Sequence, residues 1–548
     1  MIRQSGNVLQ RQDMSFDWHN PYPTVRSPVF ARNVVSTSHP LASQAGLRML
    51  LKGGNAIDAA IAAAAALTIV EPVSNGLGSD LFAILWDGER LQGLNASGVA
   101  PAAWDPAYFE RRHGGAIPMR GWDTVTTPGA VAGWVALSQR CGRLPFADLL
   151  EPAIELAERG HGVACIVADK WARQLPSLSA QPGFAQAFMP RGRAPEPGER
   201  FVFDAAGHTL RAIAETRGES FYRGETAARL AAHAAANGGS MTPADLAGYQ
   251  PEWVEPIAMG FAGHTVHQIP PNGQGIAALM ALGMLEKLDV ARSPVDSVEA
   301  QHLQIEAMKL AFADAYRWVA DPRAMTGVCA ADLLSDAYLG QRARLIQPGR
   351  AQDFVHGTPP SGGTVYLTAA DEAGRMVSLI QSNYMGFGSG VVVPGTGVSL
   401  QNRGQGFTLD RGHPNVVAGG KRPFHTIIPG FLCKDGRPQM SFGVMGGNLQ
   451  PQGHVQTLMR MLRYGQQPQA ACDAPRWKVA TGLAIDFEHT MALDLVAGLR
   501  ALGHQAEATL DPYMDFGSGQ FIWRLTEDMA DGYVAASDSR RDGQAVGF

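Results

Sequence analysis

The chain has 548 residues, with 45 Lys plus Arg against 50 Asp plus Glu, so its formal net charge is −5. This balance gives no electrostatic reason to expect nucleic acid or an anionic membrane as a partner. Hydrophobic residues make up 45% of the sequence and charged residues 17%, which excludes intrinsic disorder and predicts a large buried core. No linker divides the sequence, so we expect one large unit.

The first segment, residues 1–25, is polar and interrupted by proline, and it is predicted to be a loose tail. It lacks the apolar region of a secretory signal, so a cytoplasmic location is expected. The most apolar run, from Ala59 to Val70, is shorter than the roughly 20 residues that span a bilayer, and it is read as a core helix. The five cysteines show no paired spacing, so neither a disulfide framework nor a zinc site is predicted.

Two helices and a strand follow the tail. Helical spacing of apolar residues runs from Leu41 to Leu51, Gly53 and Gly54 end that helix, and Asn55 is placed to cap a second helix that runs to Pro72. The segment 82–86 then changes to strand chemistry and ends in an Asp-Gly turn. This order predicts a tight helical pair followed by a buried strand.

The motif GLGSDL, at 76–81, resembles the start of a dinucleotide fingerprint but lacks its third glycine. We interpret it as a tight turn near a site. Neither GxSxG nor HExxH occurs, so the common serine hydrolase and metalloprotease readings have no support.

The middle of the chain is helical, and its last part is rich in strands. Residues 140–250 are rich in alanine, and one long amphipathic helix is predicted over 301–322. Residues 361–444 contain many β-branched residues, glycines and turns, so the β-rich core is predicted to begin there.

The segment that carries chemistry is a predicted hairpin. Residues 364–369 alternate in character, and DEAGR, at 371–375, supplies a five-residue loop. If Ala370 and Met376 flank this loop, Thr364 faces Ser382 on the neighbouring strand. A hydroxyl pair on a half-buried strand is common in proteins, and alone it does not identify a catalytic residue.

A diglycine directly precedes this threonine. Gly362 and Gly363 weaken a strand, but they let the backbone bend so that the Thr364 hydroxyl reaches the preceding carbonyl. Such an N-to-O shift cuts the chain, and the α-amino group of the freed threonine then serves as the base for its own hydroxyl. The pattern therefore favours autocleavage between Gly363 and Thr364.

A series of motifs spans most of the chain and is similar to one family, the γ-glutamyltransferases, which are N-terminal nucleophile hydrolases. The motifs are, in order, VVSTSHPLASQAGLRMLLKGGNAIDAAIAAAAAL near the N-terminus, TTPGAVAGW at 126–134, PPNGQGIAAL at 270–279, EAMKLAFADAYRWVADP at 306–322, GGTVYLT at 362–368, FGSGVVVPGTGVSLQN at 387–402, KRPFHTIIPG at 421–430 and FGVMGGNLQPQGH at 442–454.

The resemblance implies an α+β fold, a four-layer αββα sandwich. It also implies that autocleavage divides the chain into a large subunit, 26–363, and a small subunit, 364–548, which stay together as a heterodimer. Thr364 would attack an amide carbonyl to form an acyl-enzyme. The positions that match the family's remaining site residues are Ser382 beside the nucleophile, Gly446 and Gly447 in the oxyanion hole, and Gln401 and Asn402 as a substrate-binding pair.

Several positions depart from the family pattern. Ser97 stands where members carry an arginine for the substrate α-carboxylate, and Gly406 stands where members carry an aspartate for the α-amino group. His425 and Thr426 replace two serines, and Arg403 adds a cation next to the substrate-binding pair. These changes resemble the branch that includes glutaryl-cephalosporin acylase-like proteins and oxamate amidohydrolase.

The departures define the functional hypotheses. We expect an amidohydrolase for a small amide bearing a carboxylate, with Arg403 as the candidate residue that binds this carboxylate. The alternatives are that Arg403 is a surface cation and that His425 only packs in the core. A true γ-glutamyltransferase and an unprocessed scaffold are the competing functions. No metal or organic cofactor is expected, since the polypeptide supplies nucleophile, base and oxyanion donors. Assembly into a higher oligomer is left open.

Overall fold

The computed structural model describes residues 16–354, 363–509 and 516–548, in which two seven-stranded β-sheets lie face to face between layers of helices. The strands are β1 (Val29–Ala31), β2 (Val34–Thr37), β3 (Asp80–Trp86), β4 (Leu91–Ala96), β5 (His161–Gly162), β6 (Arg200–Phe201), β7 (Glu252–Val254), β8 (Ile257–Phe261), β9 (His264–Gln268), β10 (Gly363–Ala370), β11 (Met376–Tyr384), β12 (Val392–Val393), β13 (Val398–Ser399), β14 (Gly430–Lys434), β15 (Arg437–Met445), β16 (Trp477–Thr481), β17 (Ala484–Glu488), β18 (Gln505–Thr509), β19 (Ser518–Arg524), β20 (Tyr533–Ser537) and β21 (Gln544–Gly547).

The helices cover the outer faces of both sheets. They are α1 (Pro40–Leu51), α2 (Ala56–Val70), α3 (Pro106–His113), α4 (Ala130–Cys141), α5 (Phe146–Arg159), α6 (Cys165–Leu178), α7 (Phe184–Phe188), α8 (Asp204–Thr216), α9 (Glu219–Tyr222), α10 (Glu225–Ala236), α11 (Pro243–Ala247), α12 (Gly275–Leu285), α13 (Val298–Trp318), α14 (Ala330–Leu333), α15 (Asp336–Ala343), α16 (Leu449–Leu458), α17 (Pro468–Asp473) and α18 (Leu493–Ala501). Among the described helices, none combines the length and the apolar composition needed to cross a membrane.

Each large sheet mixes strands from distant parts of the chain. The first sheet has the order β1-β20-β19-β15-β14-β9-β8, and the second has the order β21-β2-β10-β11-β3-β4-β7. Neighbouring strands in both sheets run antiparallel. The predicted β-rich core at 361–444 therefore supplies only the central strands, and earlier and later segments complete each sheet.

Three apolar layers define the sandwich. One layer lies between the second sheet and the helices that include α1, α2, α4 and α5, and another lies between the first sheet and the helices that include α12, α13 and α16. The third layer lies between the two sheets and contains Phe82, Tyr366, Ile380, Phe431 and Ile522. The predicted α+β, four-layer αββα sandwich is therefore confirmed.

The helical pair near the N-terminus forms as its sequence predicts. Every residue of α2 is buried, which explains a sequence that is apolar on all sides. Asn55 caps α2 in a capping box. Its side chain accepts a hydrogen bond from the Asp58 N–H, and the Asp58 side chain accepts one from the Asn55 N–H. The two helices approach closely because Gly46 leaves no side chain between α1 and Ala59.

Two boundaries differ from the sequence predictions. Helix α13 covers 298–318 rather than 301–322, because Ser297 caps its start and residues ahead of Pro322 avoid helical geometry. Within the predicted loose tail, residues 16–25 contact the rest of the chain, and residues 1–15 lie outside the described residues. Asp17 forms a bridge with Gln466, and the Tyr22 hydroxyl bonds Asp296 at 2.8 Å.

Candidate active site

A row of three polar side chains, from Thr364, Ser382 and Asp80, lies at one end of the three central strands of the second sheet. The β10–β11 hairpin pairs Ala370 with Met376 through Val365 with Gln381, which is the predicted register. At its open end the Thr364 and Ser382 hydroxyl oxygens lie 3.1 Å apart, both buried. On the other side of β11, Ser382 pairs with Asp80 at the start of β3.

The pairing of β10 with β11 becomes irregular next to Thr364, where the row ends and cleavage is predicted. Gly363 pairs with Tyr384, so the register shifts by one residue between Gly363 and Val365. The Ser382 hydroxyl accepts a hydrogen bond from the Tyr384 N–H at 2.7 Å, and Tyr384 has a φ of 75°. Gly362 lies outside the described residues. The geometry thus places Thr364 at the end of a ladder, next to strained backbone.

Asp80 is a site residue that the sequence analysis missed. Its Oδ2 lies 2.9 Å from His425 Nε2 and 3.6 Å from Arg403 Nε, and its Oδ1 accepts a hydrogen bond from the Gly98 N–H at 2.9 Å. The available signal was a charged residue that opens an otherwise apolar, buried strand, directly after the glycine turn at 76–79.

Arg403 is fully buried, so the alternative of a surface cation is wrong. Its Nη1 donates to the Thr426 hydroxyl at 2.8 Å, and its guanidinium stacks 4.3 Å from the centre of the Tyr384 ring. Nε and Nη2 have no hydrogen-bond partner in the described parts of the chain. These two atoms form one fork of the guanidinium, which matches the two oxygens of a carboxylate.

Burial controls the electrostatics of this cluster. Desolvation raises the pKa of Asp80 to about 7, although Arg403, the Gly98 N–H and Arg422 act in the opposite direction. Desolvation likewise lowers the pKa of Arg403 to about 10, and the pKa of His425 falls well below its usual range. The imidazole is therefore neutral at physiological pH, and Arg403 carries the positive charge.

The two glycines predicted for the oxyanion hole follow the end of β15. Gly446 and Gly447 have φ values of 127° and 59°, and their N–H groups have no hydrogen-bond partner among the described residues. Gln274 Nε2 donates to the Gly447 carbonyl at 3.0 Å and to the Thr426 carbonyl at 2.6 Å, which fixes the turn. Upstream, Gly443 packs against the Tyr366 ring, so this turn and Thr364 lie at the same end of the facing sheets.

The two amide side chains predicted to bind substrate, Gln401 and Asn402, donate hydrogen bonds to backbone carbonyls. Gln401 Nε2 donates to the Thr126 carbonyl at 2.8 Å, and Asn402 Nδ2 donates to the Met119 carbonyl at 3.0 Å. Gln401 also accepts the Arg403 N–H through its side-chain oxygen. In this structure the pair holds the loop that carries Arg403.

Two positions lack the family's substrate anchors, Ser97 and Gly406. Both are in contact with other residues of the chain. The Ser97 hydroxyl donates to Asn95 Oδ1 at 2.7 Å, and Asn272 Nδ2 lies 3.3 Å from it. A side chain at position 406 would overlap the Phe424 carbonyl. Neither position presents a charge to a substrate.

One cluster elsewhere has the composition of a metal site. In the described part of the molecule, ligand atoms of His302, Glu306 and His504 lie within 4.8 Å of one another. Lys309 Nζ already lies 2.8 Å from Glu306 and 3.3 Å from His504 Nδ1. This ammonium supplies the cation of the cluster, and the arrangement is that of a hydrogen-bonded network.

Residues 42–548 match the family model described as Gamma-glutamyltranspeptidase. The chain is 36% identical to the Glutathione hydrolase-like YwrD proenzyme of Bacillus subtilis, over 95% of this chain and 100% of that protein. It is 37% identical to the Oxamate amidohydrolase proenzyme of Klebsiella pneumoniae, over 95% and 99% of the two chains.

A solved structure extends the comparison. The crystal structure of cephalosporin acylase from Bacillus halodurans matches with a TM-score of 0.91 and 46% identity, over 97% of this chain and 98% of that chain. Fold and similarity together define the class as an N-terminal nucleophile amidohydrolase. The chain belongs to the γ-glutamyltranspeptidase family. It is thus an enzyme, and the hypothesis of a non-catalytic scaffold does not hold.

Proposed function

We propose that this chain cleaves itself between Gly363 and Thr364 and then hydrolyses a small amide that carries a carboxylate and no α-amino group. The two fragments would be residues 1–363, which contain the large subunit 26–363, and residues 364–548, the small subunit. The observation that carries the proposal is Arg403, a fully buried cation whose Nε and Nη2 have no hydrogen-bond partner in the described chain. Asp80 and Tyr384, which both contact Arg403, adjoin the Thr364–Ser382 pair in the second sheet.

The mechanism uses only groups of the polypeptide. After cleavage, the Thr364 α-amino group takes the proton of the Thr364 hydroxyl as its oxygen attacks the amide carbon. The N–H groups of Gly446 and Gly447 donate to the developing oxyanion, and the α-ammonium passes its proton to the departing amine. Water then gives a proton to the α-amino group as its oxygen attacks the acyl carbon, and the Thr364 oxygen takes this proton as the carboxylate product departs. Ser382, 3.1 Å from the nucleophile, holds the threonine hydroxyl in place.

The relatives support the processing step. Both curated relatives are named as proenzymes, and one is an oxamate amidohydrolase. The departures support the substrate class, because Ser97 and Gly406 offer no charge to an α-carboxylate or an α-amino group. Arg403 supplies a single carboxylate-binding position instead.

Processing is tested by N-terminal sequencing of the purified protein. The chain should yield fragments of about 39 and 20 kDa, since fragment mass follows residue number. The small fragment should begin with Thr-Val-Tyr-Leu. Thr364→Ala should remain one chain, and Thr364→Ser, which keeps a hydroxyl, should still be cut. Any other N-terminus would remove Thr364 as the nucleophile.

Specificity is tested with two substrates that differ in one group. Glutaryl and γ-glutamyl p-nitroanilides share their chain length and one carboxylate, and only the second has an α-amino group. The glutaryl compound should have the higher kcat/KM, because Gly406, at the family's position for the amine anchor, offers no carboxylate to compensate the desolvation of the substrate ammonium. A clear preference for the γ-glutamyl compound would favour a true γ-glutamyltransferase and overturn the proposed substrate class.

A further inference from the structure

The negative charge of the Asp80 carboxylate matches the positive charge of Arg403. Asp80, Arg403 and His425 have no solvent-exposed side-chain surface, and the Asp80 carboxylate lies between the guanidinium and the imidazole. Because the imidazole is neutral, the cluster carries one positive and one negative charge when Asp80 is ionised. Any anion that binds the Arg403 fork introduces a second negative charge into the same buried volume.

That second anion comes close to Asp80. The free fork consists of Nε and Nη2, and Nε is also the atom that faces Asp80 Oδ2 at 3.6 Å. A carboxylate on the fork and the Asp80 carboxylate would then share one cation. Two carboxylates in one buried site do not both stay ionised, because their repulsion and the loss of solvation favour protonation of one of them.

The groups around Asp80 do not supply a compensating charge. Arg422 is the other nearby cation, and its Nη1 is paired with Glu252 at 2.7 Å. Burial raises the pKa values of Tyr222, Tyr249 and Tyr384, so these hydroxyls stay neutral. The remaining titratable group near the row is the Thr364 α-amino group that cleavage creates, and the test must separate it from Asp80.

We propose that the site binds its carboxylate together with one proton, which the Asp80–His425 pair takes up from solvent. The inference rests on the proposed function, because it requires that Arg403 receives the carboxylate. The enzyme should therefore bind its substrate carboxylate most tightly when the Asp80–His425 pair is already protonated.

The pH dependence has a defined direction. Desolvation raises the pKa of Asp80 to about 7, so the Asp80–His425 pair holds its proton below that pH and has lost it above. Binding therefore takes up almost no proton at low pH and approaches one proton per site at high pH. Above about pH 7 the Kd of a carboxylate should rise tenfold for each pH unit, since only the protonated pair accepts the ligand.

The experiment is calorimetry on the processed enzyme with oxalate and glutarate, anions that contain no amide to hydrolyse. Each titration is run in two buffers of different ionisation enthalpy, at about pH 5.5 and about pH 8.5, which counts the protons bound. We expect nearly one proton at the higher pH and nearly none at the lower. Asp80→Asn should reduce the uptake at the higher pH to nearly none, whereas Glu252→Gln, which changes the partner of Arg422, should retain it.

Each outcome bears on the inference. Binding without proton uptake by the wild-type enzyme at the higher pH would overturn it and leave the proposed function standing. Uptake that persists in Asp80→Asn would assign the proton to the Thr364 α-amino group instead. If neither anion binds, Arg403 is not a carboxylate site, and both proposals fail. Where Asp80→Asn does not yield two fragments, the wild-type Kd decides, because a Kd that is flat above pH 7 contradicts the inference.

Discussion

A buried guanidinium with unused N–H groups is a costly feature, and Arg403 is therefore the first residue to test. Replacing it by glutamine removes a charged fork of two N–H donors, each worth roughly 1.5–3 kcal/mol when bonded to a carboxylate. KM for the preferred amide should rise by about 10²- to 10⁴-fold. Processing should continue, because Asp80 can take up a proton when its cation is gone.

The matched control for this change is Arg411, which lies nearby in sequence and is exposed beside Glu110. Arg411→Gln should leave KM unchanged, since exposed ion pairs contribute about 0–1 kcal/mol. Steady-state kinetics on both variants make the comparison. An unchanged KM in Arg403→Gln would place the carboxylate elsewhere.

Gly406 gives a second prediction at the residue scale. A Cβ at this position would overlap the Phe424 carbonyl, so Gly406→Ala should destabilise the fold by about 1–3 kcal/mol, as overpacking does. Gly406→Asp should likewise fail to restore γ-glutamyl hydrolysis, because an aspartate has no room there. Gly412→Ala is the control, with only the Asp410 carboxylate at 3.4 Å. Thermal unfolding of the three proteins measures the difference.

The sequence predicted part of this site and missed the rest for a physical reason. Thr364 and Ser382 belong to one hairpin, so counting from its loop sufficed to place their hydroxyls together. Asp80 reaches them only through the pairing of β3 with β11, two strands far apart in the chain, and no local pattern encodes that register. The contacts of Gln401 and Asn402 with Thr126 and Met119 were not predictable either, because these partners lie far away in the chain.

At the scale of elements, the contact between the two sheets controls the site. Tyr366, two residues after Thr364, packs its ring against Gly443 on β15. Gly443→Ala would push this ring and with it β10, so we expect slower processing and a loss of about 1–3 kcal/mol in stability. The control is Gly260→Ala on β8 of the same sheet, where a Cβ meets nothing within 4 Å. Gel densitometry of processing against time compares the two variants, and equal rates would contradict the prediction.

Helices were predicted more accurately than sheets. The α1–α2 pair has its own caps and glycines, so local chemistry defines both ends. The end of α13 differs from the prediction because the residues before Pro322 leave the helix earlier than its apolar pattern suggests. The sheets combine early, middle and late strands, and a composition shift at residue 361 marks only the middle ones.

At the scale of the whole molecule, strands from both predicted fragments are neighbours in each large sheet. This arrangement predicts that the fragments stay together after cleavage. In the second sheet β10 and β11 of the small fragment lie between β2 and β3 of the large fragment, and in the first sheet β14 pairs with β9. Separation would break several backbone ladders at once, each hydrogen bond contributing about 0.5–1.5 kcal/mol.

The fragments should therefore co-elute in size-exclusion chromatography even after nanomolar dilution. They should separate in concentrated guanidinium chloride, which serves as the control. Elution of a free small fragment under native conditions would show that the ladders do not hold the fragments together.

The pairing of β2 with β21 also limits how early during synthesis the second sheet can be completed. These strands are neighbours in the second sheet, although β21 is made roughly 500 residues after β2, which at about 5–20 residues per second corresponds to about 25–100 s of translation. Strand β19, which packs behind β10, emerges almost as late. We therefore expect the strands around Thr364 to assemble only when nearly all of the chain has been synthesised, so that the proposed self-cleavage follows translation.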